Sequence, residues 1–114
     1  MKYENVKNIV NLTPHAITIV GAGLDGKDLV IEPSGELARV AARTEVFGNM
    51  HGIPLTHTVY GEVEGLPDYD GNTVYIVSSM VASRAPYRDD IFIPNESVRD
   101  EAGRIIGCKS LGRI

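Results

Sequence analysis

The feature that most constrains this chain is its rhythm of short β-like runs, each cut off by Gly, Pro, Asn or Asp. Runs of Ile, Val and Thr between turn residues read as strands rather than helices. Asn8–Leu12 and His15–Val20 are strand material with Pro14 interrupting them, and Leu29–Ile31 follows before a Pro33-Ser34-Gly35 turn. Leu37–Ala41 and Thr44–Phe47 continue the pattern up to a glycine-bracketed loop, Gly48–Gly52. The longest expected strand, Leu55–Val63, ends at Gly65-Leu66-Pro67 and the Asp68–Asn72 turn. Val74–Val77 is a compact apolar run of the kind that lies centrally in a sheet. Ser78 and Ser79 are N-cap candidates for a short helix over Met80–Ala85, which Pro86 limits to two turns. Ile91–Ile93 resumes as a strand before Pro94, and a hairpin is expected around the Asp100–Gly103 turn. The expectation is one small domain over residues 1–114, mainly β (α+β), of antiparallel strands with one or two short helices.

Composition narrows the function. A net charge of −4 provides no basic field for a nucleic-acid polymer. Two Phe, five Tyr and no Trp argue against a base-stacking platform. A single small phosphate ligand stays compatible with both. The one cysteine, Cys108, supports neither a disulfide framework nor a cysteine-rich zinc site, and it reads as a small buried apolar residue. Met1–Lys7 is polar with no apolar run behind it, and Ala16–Leu24 is too short to span a bilayer, so the expected location is cytoplasmic.

Several motifs have ordinary explanations. Gly21-Ala22-Gly23-Leu24-Asp25-Gly26 matches G-x-G-x-x-G. A dinucleotide site, however, needs a helix to begin there, and a short strand stopped by Pro33 follows instead. The three histidines lack metal-ligand spacing, and no cofactor is expected. Alternation places His57 on the apolar face of its strand as a hydrogen-bonded core residue. His51, in the glycine-flanked loop, is freer to touch a ligand, and His15 is read as fixing a strand kink through its ring. Glu62 and Glu64 share a polar face with Thr58 and Tyr60, which reads as an exposed strand face rather than an acid/base pair.

The segment from Val74 to Asn95 has the best claim to chemistry. A buried strand runs into the serine pair Ser78 and Ser79 at a helix start, where backbone N–H groups favour an anion. Arg84 and Arg88 follow, with Tyr87 between them and Asp89-Asp90 next. Guanidiniums, an aromatic face, hydroxyls and carboxylates suit phosphates, a base and sugar hydroxyls. In this reading Ser78, Ser79, Arg84 and Arg88 hold phosphates, Tyr87 or Phe92 packs on the base, and Asp90 or Asn95 takes the ribose hydroxyls. The alternative is that Arg88 pairs with Asp90 or Asp100 and Ser78 merely caps the helix.

A resemblance covers nearly the whole chain. It is carried by Asn11-Leu12-Thr13-Pro14-His15, Ile31-Glu32-Pro33-Ser34-Gly35, Ala38-Arg39-Val40, Gly52-Ile53-Pro54 and Gly61–Pro67. Tyr75-Ile76-Val77-Ser78, Val98-Arg99-Asp100 and Gly103–Cys108 extend it. The chain resembles small phage and mobile-element proteins, the first class of Thoeris anti-defence proteins. That resemblance implies a protein that binds cyclic ADP-ribose isomers, or cyclic oligonucleotides, without cleaving them. The expected function is sequestration of a small cyclic nucleotide immune signal by a homodimer or higher homo-oligomer that is not an enzyme. Two alternatives stay open: a small hydrolase of the same ligands with His51 or Glu62 as general base, and a protein-binding inhibitor of a host defence enzyme.

Overall fold

Apolar β-branched runs too short to form a sheet alone gather here into one six-stranded mixed sheet, leaving a separate two-stranded ribbon. The computed structural model describes residues 1–114. Its strands are β1 (Asn8–Asn11), β2 (Ile17–Ile19), β3 (Leu29–Ile31), β4 (Arg39–Met50), β5 (Ile53–Glu64), β6 (Thr73–Ile76), β7 (Ile91–Arg99) and β8 (Ile105–Gly112). One α-helix, α1 (Ser79–Arg84), lies between β6 and β7, and two single-turn 3-10 segments cover Tyr3–Asn5 and Leu24–Gly26. The mainly-β expectation with short helices therefore holds.

The sheet order is β1-β6-β7-β8-β2-β3. Antiparallel pairing joins β7 to β8 and β2 to β3, whereas β1–β6, β6–β7 and β2–β8 run parallel. The parallel pairs depart from the expected antiparallel arrangement, and runs of alternating residues do not reveal them. Between β6 and β7 the parallel course arises because α1 carries the chain back to the start of β7. The two outer strands nearly meet, and Asn11 at the end of β1 bridges to Pro33 just beyond β3.

Asn11 is the latch of that closure. It is 1 % exposed, and its Nδ2 donates to the carbonyls of His15 at 2.7 Å and Ile31 at 3.0 Å. Its Oδ1 accepts from the Thr13 backbone N–H at 2.9 Å and the Thr13 hydroxyl at 2.7 Å. Full satisfaction makes a buried amide tolerable. The role expected for the His15 ring falls instead to its backbone carbonyl, and the side chain is exposed.

The core lies between the sheet and α1. Leu12, Ala38, Tyr75, Val77, Val81, Ala82, Ala85 and Ile91 form one buried cluster, with Val10, Val40, Val63, Leu66 and Ile93 packed around it. Cys108 is buried in β8, as expected of a small apolar residue. The glycine-rich stretch after β2 is a turn leading into β3, with Gly21 and Gly26 at positive φ and no α-helix starting there. No helix is long and apolar enough to cross a membrane.

The ribbon is longer than its sequence suggests. The glycine-bracketed loop expected over Gly48–Gly52 shrinks to a two-residue turn, with positive φ at His51 (52°) and Gly52 (84°) and a Met50↔Ile53 pair across it. Two left-handed central residues match the twist of a hairpin. The glycine at Gly48 sits inside β4 at a register shift between Val46 and Gly48 rather than ending the strand. His57, expected in the core, is exposed: its Nε2 lies 3.1 Å from Glu45 Oε2 and its ring stacks on Phe47 at 5.7 Å. No other element covers this part of the ribbon, so alternation there does not separate inside from outside.

Candidate functional site

The helix that carries the proposed site begins and ends where sequence chemistry dictates. Ser78 is the N-cap, and its side-chain oxygen accepts from Val81 N–H at 3.3 Å. Pro86 then forbids continuation. Ala85 carbonyl accepts from Arg88 N–H at 3.1 Å, a turn with Pro86 in its second position and Tyr87 in its third. This turn pushes the Tyr87 ring outward, where it is 81 % exposed.

The end of the turn is clamped. Arg88 donates to both oxygens of Asp90 at 2.7 Å, and again to the Pro67 carbonyl at 2.8 Å. Asp90 is fully buried, and the Arg88 side chain is 15 % exposed. Hydrogen bonding to Asp90 pushes the Arg88 guanidinium up from its ordinary value, against the opposing effect of burial. Nearby, burial raises the Tyr75 phenol, helped by the negative charges of Asp70 and Asp90. The pair thus fixes the chain between α1 and β7, and the charge of Arg88 is already compensated by Asp90.

With that bracket in place, Arg84 and Tyr87 face the proximal part of β5. A cleft of about 520 Å³ is lined by Tyr60, Gly61, Glu62, Val63, Arg84 and Tyr87. That volume lies within the ~300–1,000 Å³ range of small-molecule sites. The Arg84 guanidinium lies 5.1 Å from the centre of the Tyr60 ring, within cation–π range. Arg84 makes no salt bridge. The cleft therefore combines an uncompensated cation, two phenol rings and one carboxylate. Glu62 is exposed, as its polar strand face implied.

Of the nine residues expected at a ligand site, the structure brings together only Arg84 and Tyr87. Ser78 is used by its cap. Ser79 opens the helix that Arg84 closes, so the two stand about 7.5 Å apart along its axis at 1.5 Å per residue. Arg88 and Asp90 neutralise each other, which is the alternative that the sequence left open. Phe92 packs edge-on against Tyr3 at 5.6 Å and lines a different, apolar concavity with Val6, Ile9, Val74 and Leu111. Asn95 lies on β7 beyond its last pairing with β6, against Gly112 of β8. His51 occupies the ribbon's turn. Phe92 and Asn95 are separated from the cleft because they lie along β7 in the six-stranded sheet, and His51 because it sits in the turn at the far end of the ribbon from Tyr60–Val63.

Tyr60 is the cleft residue that sequence reasoning misses. Its signal lies in the alternation, which puts Tyr60 and Glu62 on one polar face. What the sequence lacks is the fact that α1 ends opposite that face. No family model matches the chain, and neither a curated protein nor a solved structure shows significant similarity to it.

Proposed function

We propose that this chain binds and sequesters a small phosphate-bearing nucleotide in the cleft between β5 and the α1–β7 turn. The observation that carries the reading is Arg84, a guanidinium without a carboxylate partner, held over Tyr60 beside the exposed ring of Tyr87. A cation next to aromatic faces suits a ligand with both phosphate and base, because guanidinium–phosphate bonds and base–phenol stacking then act together. Glu62 is placed to accept from ribose hydroxyls or an exocyclic amine. Binding without turnover needs only such placed groups, and the cleft gathers no nucleophile with a neighbouring base.

The resemblance to the first class of Thoeris anti-defence proteins supports a cyclic ADP-ribose isomer or a cyclic oligonucleotide as the signal. In this reading the protein is a phage-type sponge in the host cytoplasm, not an enzyme, acting as a homodimer or higher homo-oligomer. Calorimetry with cyclic ADP-ribose isomers and cyclic di- and trinucleotides tests it. Saturable heat with one of them, lost on Arg84→Ala, is the expected result, and no heat with any of them from folded protein overturns it. Heat-denatured complex should release the nucleotide intact. A cleaved product would favour the hydrolase alternative, with Glu62 rather than the remote His51 as the base.

A further inference from the structure

A folded chain of 12.4 kDa exposes about 6,100 Å² by the usual mass scaling, whereas this one exposes 7752 Å², an excess of roughly 1,600 Å². Its radius of gyration is 17.3 Å, against about 13 Å for a compact chain of this length. The excess has an identifiable source. β4 and β5 are each 12 residues long, which makes a ribbon about 40 Å in length at ~3.3 Å per residue. The end of the ribbon near Val40 and Val63 packs on the core, while from Thr44 to Thr58 only Glu45, Gly48 and Leu55 are even half-buried.

That distal half has an apolar face. Cross-strand pairing sets Met50 beside Ile53 and Gly48 beside Leu55, and alternation along β5 puts Ile53, Leu55 and His57 on one side. Phe47 stacks on His57 and so joins the same side. Phe47, Met50 and Ile53 are each more than half exposed. An isolated two-stranded ribbon is marginal in water, and two long open edges with an apolar face invite a partner.

We propose that the distal β4–β5 ribbon is an assembly arm that packs against a second copy of this chain. Charge selects that occupant. Between Thr44 and Thr58 the only formal charge is Glu45, already paired with Arg43 at 2.8 Å and facing His57. A face with no free charge meets its own copy without like-charge repulsion, and it offers nothing for a strongly basic or acidic partner to read. The excess area also fits, because roughly 1,600 Å² per chain is what a permanent homo-oligomer interface removes from each partner. The inference rests on the homo-oligomer of the proposed function and locates its interface, and because the ligand-free chain is used, its failure is distinguishable from a failure of nucleotide binding.

Light scattering coupled to size exclusion, on ligand-free protein at micromolar concentration, should give a mass of at least twice 12.4 kDa. The double variant Phe47→Lys/Met50→Lys alters only exposed side chains and should elute as a monomer with an unchanged circular dichroism spectrum. Ile105→Lys, on an exposed apolar residue of β8, should leave the mass of the assembly unchanged. A monomeric wild type overturns the proposal, as does an assembly that survives the double variant. Should the double variant misfold, hydrogen exchange on the wild type decides. Amides of residues 44–58 should gain protection as protein concentration rises, and concentration-independent exchange there overturns the proposal.

Discussion

Arg84 and Arg88 are four residues apart and have opposite work. Arg88 is spent on a buried carboxylate, so Arg88→Ala leaves Asp90 charged and uncompensated. We expect a loss of about 3–5 kcal/mol in urea denaturation, the usual cost of breaking a buried pair on one side. Arg84→Ala should leave stability within ~0.5 kcal/mol, as an exposed substitution does, and weaken nucleotide binding about ten-fold or more by calorimetry. The distinction is half legible in the sequence. Arg88 and Asp90 stand two residues apart just before β7, a spacing at which a cation and a carboxylate can pair, whereas Arg84 has no carboxylate at such spacing. Asp70 gives a pH test at the same scale. Hydrogen bonds from Asn72 N–H and from the Thr73 hydroxyl and N–H hold its carboxyl below the ordinary value, against the opposing effect of burial. A depressed carboxylate contributes stability above the unfolded value of about 3.9 and loses it as pH falls through the lower folded value. The wild type should therefore lose stability between pH 5 and 2 (roughly) by more than Asp70→Asn, followed by denaturant midpoints across that window.

At the scale of elements, two positions decide whether neighbouring pieces meet. Gly65 ends β5 at φ +80°, and a Cβ there would collide with the Leu37 carbonyl. Gly65→Ala should destabilise by at least ~1 kcal/mol in thermal or urea melts, combining left-handed strain with the clash. Asn11→Ala removes the latch between the outer strands and should cost about 1–3 kcal/mol, with faster amide exchange concentrated in β1 and β3. Elements with strong local chemistry are legible in the residues alone: β3 falls on the expected Leu29–Ile31, and the cap at Ser78 and stop at Pro86 bound α1 closely. Departures occur where neighbours override local rules. Pro94 reads as the end of a strand, yet β7 continues through it to Arg99, because β6 is already finished there and only β8 lies alongside. The Asn11 network is invisible in the sequence, since its partners at Ile31 and His15 are brought together only by sheet closure.

On the scale of the whole molecule, only 15 of 114 residues are buried, so the core beneath α1 is small for the chain that surrounds it. Carboxylates and cations pair in the body, at Met1–Asp89, Arg88–Asp90 and Arg104–Asp100, and the ribbon's far half is left nearly neutral. The chain has no tryptophan, and two of its five tyrosines, Tyr60 and Tyr87, line the cleft while none lies between Thr44 and Thr58. Intrinsic tyrosine emission thus includes two reporters in the cleft and none in the ribbon's far half. A base stacked on Tyr60 or Tyr87 should quench that emission in proportion to occupancy, and dilution through the assembly equilibrium should leave it level. One cuvette can then separate ligand capture from self-association without a label.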